Sequence, residues 1–575
     1  MKQENNNALD TLHNIRHSAA HVLAEAVVNL FKEALPTIGP VTQDGFFYDF
    51  YLPNQTICET DLERIEVKMR EIIKQNETIV GQQFSRQEAR KLYENNKFKQ
   101  EIIDQLEQET VGIYYQGNFF DLCRGGHTER TGDVKHFKLT TVAGAHWRAD
   151  AKRESLQRIY GIAFETAQEL ENYITRIEQA KLYDHRLLGK KLDLFSFHNE
   201  APGSVFYHDH GTFIFNKLIE YSRKLQREAG YQEIKTPVML KEQLWHTSGH
   251  YENYKENMFF VSGNTEENEH FAIRPMNCPC AMLLFDCELR SYKELPLRLS
   301  EFGLVHRNEL SGALHGMFRT RVFTQDDAHI FCMPDQIQDE VVRVLELAKT
   351  IYQNFNFTNV RIALSTKPEK SIGDDSLWES ATKALAYAME KLEYAVDYKH
   401  GDGAFYGPKI EILVTDAIGR EWQCGTVQID FFLPQRFNLQ YVDSDGIKKT
   451  PVVIHRAIYG SIERFFGILL EHSKGILPFW LAPVQATMLP ITSEQNEYCQ
   501  EIANRLNLAG IRATVDLRNE KISAKIRDAQ LSKTQLMLVV GKREQELKQL
   551  TLRRLDGSQM PNVTLEDIYK LIEKL

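Results

Sequence analysis

Apolar residues Leu12, Ile15, Leu23, Val27 and Leu30 recur at spacings that keep them on one side of an α-helix, and Pro36 with Gly39 ends the pattern. His17 and His21 are four residues apart and share one face of that helix. Two capping-box signatures, Thr60 with Glu63 and Ser85 with Glu88, predict further helices, the first carrying Leu62, Ile65, Met69, Ile72 and Ile73. The stretch GIYYQGNFFDLCRGGH, residues 112–127, instead predicts β structure running into a glycine-rich turn. Residues 166–189 are charged, helix-favouring and free of proline, and the turn-rich NEAPGS of 199–204 follows, so a domain boundary is placed near Asp184. A second boundary falls near residue 480, where Pro478, Pro483 and Pro490 interrupt the chain after the amphipathic SIERFFGILLEH. Beyond it, apolar strands in QATMLPI, IRATVDL and LMLVVG alternate with helices, which predicts a small α/β domain with a partly parallel sheet. The expected organisation is a mixed α+β multidomain chain divided into 1–183, 184–480 and 481–575.

The 575 residues fit that division, at a prior of about 150 residues per domain. With 42% hydrophobic and 26% charged residues the composition is ordinary globular, and no apolar run approaches the ~20 residues a spanning helix needs. The opening MKQENNNALD has neither the basic-then-apolar pattern of a secretory signal nor the Arg-rich character of an organellar one. The eight cysteines are scattered, which suits a reducing compartment, so a cytoplasmic protein is expected. A net charge of −10 argues against coating nucleic acid through bulk positive charge while leaving a local basic surface open. From Leu481 onward 14 Lys+Arg face 12 Asp+Glu, which points the last domain weakly toward a polyanion.

Three stretches of the middle region belong together. EYSRKLQREAGYQEIKTPVML is an amphipathic helix leading into a strand. LRLSEFGLVHRNELSGALHGMFRTRVFTQDDAHIF puts Arg307, Arg319 and Arg321 on two strands around a glycine-containing loop. VVIHRAIYGSIERFFGILLEH is a strand passing through Gly460 into a helix that carries Arg464. An arginine fork on a rigid strand or helix end suits phosphate, because it offers two parallel charge-assisted bonds and stays charged. A single such arginine is more often a surface ion pair.

As a set, these stretches resemble the three signatures of the class II aminoacyl-tRNA synthetases. RPMNCP (274–279), TSGHY (247–251), FTQDDAHIF (323–331), YGPKIE (406–411) and HRAIYGSIER (455–464) resemble the threonine-specific family within that class, from about residue 10 to the C-terminus. The resemblance implies an antiparallel sheet backed by helices that binds ATP with its Mg²⁺, L-threonine and threonine tRNA, and a homodimer. It assigns the α-phosphate to Arg307, the adenine to Glu309 and Phe323, the γ-phosphate to Arg464, and the nucleotide surroundings to Arg319, Gln423, Thr426 and Ser461. Lys409 and His250 match further catalytic positions, His250 near the ribose of the accepting adenosine. Cys278, His329 and His455 are too far apart for any spacing rule to select, and only the resemblance marks them as ligands of one zinc ion. Three protein ligands leave a position open for substrate. Asp327, Tyr406 and Gln428 would seat threonine. The family pattern continues Asn-Cys-Pro-Gly-His where this chain has Asn277, Cys278, Pro279, Cys280 and Ala281, so Cys280 is an inert core thiol, a rival ligand or an oxidation partner, the first being preferred.

A zinc pocket cannot exclude serine, which is smaller by one methyl, a difference worth ~1–3 kcal/mol. The family carries a domain that hydrolyses seryl-tRNA, and its marks are here: His17, His21, Cys123 and His127, with Tyr114 and Asp121 also matching. The same four residues could equally form a tetrahedral zinc site. CRGGH stands where CRGPH is usual, which relaxes that turn. Members often begin with a small extra domain, here expected to be absent or removed. Asn519, Glu544 and Arg553 match anticodon-reading positions, and their side chains suit the edges of unstacked loop bases. Two rivals remain: a synthetase-like paralogue that binds RNA or a partner without activating an amino acid, and a class II enzyme for another amino acid.

Overall fold

Helix α1 runs from Lys2 to Leu30, and Ile15, Ala19, Val22, Leu23, Ala26 and Val27 form its buried stripe. In this computed structural model, which describes residues 2–42, 44–262, 270–369, 371–372, 374–404 and 406–574, the chain divides into two compact units, Met1–Glu178 and Gln179–Leu575. In the first unit the α1 stripe packs on an antiparallel sheet containing β1 (Gly45–Tyr51), and Phe46, Tyr48 and Phe50 of β1 join its core. A smaller antiparallel sheet pairs Ile79–Ser85 with β2 (Thr110–Gln116), and β2 with β3 (Phe119–Leu122). The larger sheet is completed by β4 (His136–His146) and β5 (Ser155–Phe164).

The Ser85 box forms as expected: Ser85 Oγ accepts the Glu88 N–H at 3.3 Å, and the Glu88 carboxylate accepts the Ser85 N–H at 2.9 Å. The Thr60–Glu63 box does not. A 3₁₀ turn, Glu59–Asp61, precedes the helix Leu62–Gln75, and Asp61 accepts the Cys58 N–H at 2.9 Å, so a nearer carboxylate has taken the capping role. The helix-favouring stretch 166–189 forms two helices, Ala167–Leu182 and His185–Lys191, and Asp184 caps the second by accepting the Arg186 N–H at 2.8 Å.

The second unit is built on an eight-stranded sheet. Its working elements are α2 (Cys278–Phe285), β6 (Leu297–His306), β7 (Val322–Cys332), β8 (Lys409–Thr415), β9 (Glu421–Asp430), β10 (Val452–Ser461) and α3 (Ile462–His472). The strands lie in the order β6-β7-β10-β9-β8, all antiparallel, continued by Val360–Ser365, with short parallel strands at both edges. Two-residue alternation separates the faces. Ala328 and Ile330 of β7, Ile454 and Ile458 of β10, Val427 and Ile429 of β9, and Ile410 and Ile412 of β8 enter one core with Val341, Leu345 and Leu385 of the covering helices. The intervening residues turn to the other face, where polar side chains gather.

Residues 486–563 form a second sheet of this unit, with Ala513–Val515, Ala486–Pro490 and Leu536–Val540 parallel and Leu550–Arg554 and Gln559–Val563 antiparallel, around a core of its own. This is the partly parallel α/β arrangement expected for the C-terminal segment. Among the described residues, no helix is long and apolar enough to cross a membrane.

Glu463, in the first turn of α3, is buried and accepts the Thr324 N–H at 2.8 Å. Lost hydration raises its carboxyl from 4.5 to about 7 despite that bond. The native state therefore holds this proton more tightly than the unfolded chain does. The contribution to stability is complete below about 4.5 and is lost as pH rises through about 7. The swing is at most about 3 kcal/mol. Glu463→Gln removes the titration but keeps an acceptor, so its Tm relative to the parent is expected to climb between pH 5 and 8 in a thermal-shift series; parallel curves would contradict this.

Candidate functional site

Register places the key residues of the open face. His329 of β7 pairs with His455 of β10, His455 pairs with Gln428 of β9, and Gln428 pairs with Lys409 of β8. The next row, two residues along, is Asp327, Ala457, Thr426 and Glu411. Directly opposed side chains on one face are close neighbours, so residues from four distant stretches form a small lattice. Cys278 comes from the start of α2, and the ligand atoms of Cys278, His329 and His455 lie within 4.8 Å of one another, all three residues buried.

The donor set of this trio fits a transition metal. Nε2 of His329 is buried with no hydrogen-bond partner, and burial together with His455 drives its imidazole well below the usual range, leaving a free lone pair. Nε2 of His455 faces Asp430 Oδ2 at 2.9 Å, which leaves Nδ1 for a cation. Burial opposes protonation of His455, yet Cys278 and Asp430 together lift it to about 10. Asp430 is missing from the expected residues, although the alternation Thr426, Gln428, Asp430 along β9 already put it on this face. Asn277, also unanticipated, donates to Asp327 Oδ2 at 3.0 Å, while burial pushes the Asp327 carboxyl above its ordinary range. Cys280 faces elsewhere: Thr236, Arg274 and Glu301 surround its thiol, which burial raises, and it is no part of the trio.

Beside the trio opens a cavity of about 510 Å³. It is lined by Cys278, Asp327, Tyr406, Thr426, Gln428 and His455 at one side and by Arg307, Glu309, Arg319, Phe323, Ser461 and Arg464 at the other. Tyr406 Oη donates to Gln428 Oε1 at 2.6 Å. The Arg307 guanidinium lies 5.1 Å from the Phe323 ring centroid, and Arg319 is paired with Glu309 at 2.9 Å. Ser461 caps α3 by accepting the Arg464 N–H at 3.1 Å, and Arg464 Nη1 donates to the Phe318 carbonyl at 3.0 Å. Arg464 Nε has no partner, and burial lowers the guanidinium's pKa. Gln423 is 3.4 Å from Thr426 Oγ1. Asp326, on the helix-covered face, accepts the N–H groups of Ile458, Tyr459 and Gly460 at 2.9–3.2 Å. It thereby supports the irregular step where β10 swings into α3, and burial raises its carboxyl to about 6.

Of the expected residues, His329, Gln423, Lys409 and His250 do not line this cavity. Lys409 is paired with Glu411 at 2.7 Å, and Glu411 is shared with Lys399 at 2.6 Å. His250 is buried, with Nδ1 2.7 Å from Ser248 Oγ and Nε2 3.1 Å from Met276 Sδ, and burial lowers it to about 4. It stands behind the wall that Met276 forms.

The first unit brings together His17 and His21 from α1 with Cys123 and His127 from the loop after β3, their ligand atoms within 4.8 Å. Cys123 Sγ is 3.3 Å from His17 Nε2 and 3.2 Å from His127 Nε2, and the His17 and His127 rings stack at 4.1 Å. The Tyr114 ring is 4.8 Å from that of His127. Gly125 and Gly126 have φ of 103° and 83°, so the turn holds a conformation that proline at 126 could not adopt. Asp121 is buried against Lys99 and Tyr48 and sits 3.8 Å from His21 Nε2. No local pattern marked Lys99 or Tyr48. Burial lowers His17, His21 and His127, the last to about 2, and raises the Cys123 thiol to about 11. The cluster is a neutral one.

In the C-terminal segment Asn519 is exposed, and Arg553 has a buried Nε without a partner. The Glu544 carboxylate accepts the Gly541 N–H at 3.0 Å and the Thr551 hydroxyl at 3.1 Å, two residues from Arg553 along the same strand face.

The family profile described as tRNA synthetase class II core domain (G, H, P, S and T) matches residues 259–473, and the profile described as anticodon binding domain matches 485–575. A third, the threonyl and alanyl tRNA synthetase second additional domain, matches 111–160. Sheet, cavity and profiles together define a class II aminoacyl-tRNA synthetase. A threonine–tRNA ligase of Desulfatibacillum aliphaticivorans is 50% identical over 553 residues, 96% of this chain and 86% of that protein. One of Thermotoga neapolitana is 47% identical over 562 residues, 97% of this chain and 87% of its own. The crystal structure of the RNA binding domain of threonyl-tRNA synthetase from Cryptosporidium parvum Iowa II aligns with a TM-score of 0.65 at 43% identity, over 68% of this chain and 98% of that one. The chain belongs to the threonine–tRNA ligase family.

A ligand imidazole fixed by a carboxylate on its far nitrogen commonly loses 10–100-fold in metal affinity when that carboxylate is neutralised. Asp430→Asn is expected to weaken Zn²⁺ binding by about that factor, read by competition with a chromogenic chelator. Unchanged affinity would remove His455 from the ligand set.

Proposed function

We propose that this chain joins L-threonine to threonine tRNA through a threonyl adenylate formed from ATP, and that its first unit hydrolyses seryl-tRNA. The observation that carries it is the cross-strand row setting the Cys278, His329 and His455 trio beside Asp327 at one end of an arginine-lined cavity. Arg307 holds the α-phosphate, Arg464 the γ-phosphate, and Glu309 and Phe323 the adenine, with Arg319, Gln423, Thr426 and Ser461 around the nucleotide and its Mg²⁺. Activation of this kind asks mainly for positioning and charge stabilisation where pyrophosphate departs. Tyr406 and Gln428 seat the amino group, and Asp327 accepts from the threonine hydroxyl. Zinc on Cys278, His329 and His455 would supply a Lewis acid for the amino and hydroxyl groups together, a pair that valine lacks. Lys409, through Glu411, and His250, through Met276, support the cavity wall and position these groups.

In the first unit the neutral imidazoles of His17, His21 and His127 can accept a proton from water that attacks the ester carbonyl. A thiol raised to about 11 stays protonated near neutral pH, so Cys123 positions rather than attacks. Asp121, fixed by Lys99 and Tyr48, orients His21, and Tyr114 closes the side next to His127. Asn519, Glu544 and Arg553 read the anticodon on an otherwise acidic body. Three domains, 1–183, 184–480 and 481–575, perform editing, activation and anticodon reading. The chain works as a homodimer in the cytoplasm, a setting its eight free thiols suit.

Threonine-dependent ATP–pyrophosphate exchange by the purified, zinc-loaded chain is the direct test, and its absence would overturn the assignment. Cys123→Ala is expected to leave threonine charging within about twofold and to let seryl-tRNA accumulate. Unchanged serine clearance would refute the editing role.

A further inference from the structure

Among the described residues, one cluster of ligating side chains lies outside both sites. Asp184, His185 and Glu471 bring their ligand atoms within 4.8 Å. The imidazole has no lone pair left for an ion, however. The Met317 N–H donates to His185 Nε2 at 3.0 Å, so that nitrogen accepts, and the ring proton sits on Nδ1, which faces Glu471 Oε1 at 2.7 Å. The His185 N–H also reaches Glu471 Oε1 at 2.9 Å, and Glu471 is tied in turn to Arg420. Asp184 is occupied by Arg186. His185 is 0% exposed.

The residue it grips stands at the tip of the loop between β6 and β7. His315 and Arg319 exchange backbone hydrogen bonds at 3.1 and 3.3 Å, closing a tight turn over Gly316, Met317 and Phe318. Gly316 has φ of 50°, and a Cβ there would come within 2.2 Å of His185 Nε2, so the turn is moulded on the imidazole. The Phe318 ring lies 4.1 Å from that of His185 and 4.4 Å from that of Trp422. The Phe318 carbonyl accepts from Arg464 Nη1 at 3.0 Å, and the residue after it is Arg319. Both arginines are thus referred to the same turn.

We infer that His185 is a positioning residue for the nucleotide site: its Nε2 sets the 315–319 turn, and the turn sets Arg464 and Arg319 before ATP arrives. This rests on those two arginines being ATP contacts. The imidazole touches no substrate. Its part is to hold the turn so that no reorganisation is needed when the phosphates bind.

The test uses the full chain in ATP–pyrophosphate exchange, comparing the parent with His185→Ala and with His185→Gln, whose side-chain oxygen can still accept the Met317 N–H. His185→Ala is expected to raise the KM for ATP about tenfold, with the KM for threonine within about twofold and seryl-tRNA hydrolysis unchanged. His185→Gln is expected to recover most of that loss. A fall in kcat with both KM values unchanged, or a loss that Gln does not rescue, assigns His185 a merely structural role and overturns the inference while the parent's exchange keeps the ATP assignment standing. No exchange by the parent would instead fail that assignment. Hydrogen exchange of the peptide covering 312–320 in the nucleotide-free parent needs no variant: protection is expected, and exchange at the rate of an unstructured peptide overturns the inference even where His185→Ala does not fold.

Discussion

The antiparallel register of β7, β10, β9 and β8 is the constraint on which the rest of the second unit depends. It converts sequence separations of tens to more than a hundred residues into opposed side chains, His329 to His455 to Gln428 to Lys409. A slip of one residue in any of these strands would turn its polar members into the helix-covered core and its aliphatic members into the cavity. The burial of Ile330, Ile454, Val427 and Ile410 on one face therefore enforces the placement of the site on the other. Hydrophobic burial and chemical function are here two sides of one pairing pattern.

Charge within this frame is held by fixed partners rather than by solvent. Asp430 holds His455, Asn277 holds Asp327, and Asp326 gathers three backbone N–H groups where β10 departs from regular pairing. Each buried carboxylate would be costly without such partners. The two sites use burial differently. Arg307, Arg319 and Arg464 line the cavity, Arg464 half-buried and Arg319 paired with Glu309. In the first unit the four-residue cluster keeps imidazoles and thiol uncharged, which suits proton transfer with water rather than the binding of charge.

Much of this was legible beforehand where the signal is local. The α1 stripe, the Ser85 box, the β structure of 112–122 and the parallel strands near the C-terminus all follow from short-range periodicity or capping chemistry. The Thr60 box fails because a competing carboxylate, Asp61, takes the backbone donor of Cys58. His250 and Lys409 fit the family pattern, yet their contacts with Met276 and Glu411 could be known only from packing. Cys280 could not be sorted among its three readings until Thr236, Arg274 and Glu301 were seen to surround it.

By itself, the sequence determined the residue inventory: which strands are amphipathic, where the arginines stand, which turn needs glycine, and the motifs that relate the chain to the threonine–tRNA ligases. Only the tertiary structure decided which of those residues meet. Lys99, Tyr48 and His185 carry no mark in the chain, and the motif and the alternation that hold Asn277 and Asp430 do not name their partners, since each of the five acts through a partner 22 to 286 residues away. Periodicity encodes the face a side chain occupies, whereas a contact at that range depends on the registry of strands and helices that the folded core alone imposes.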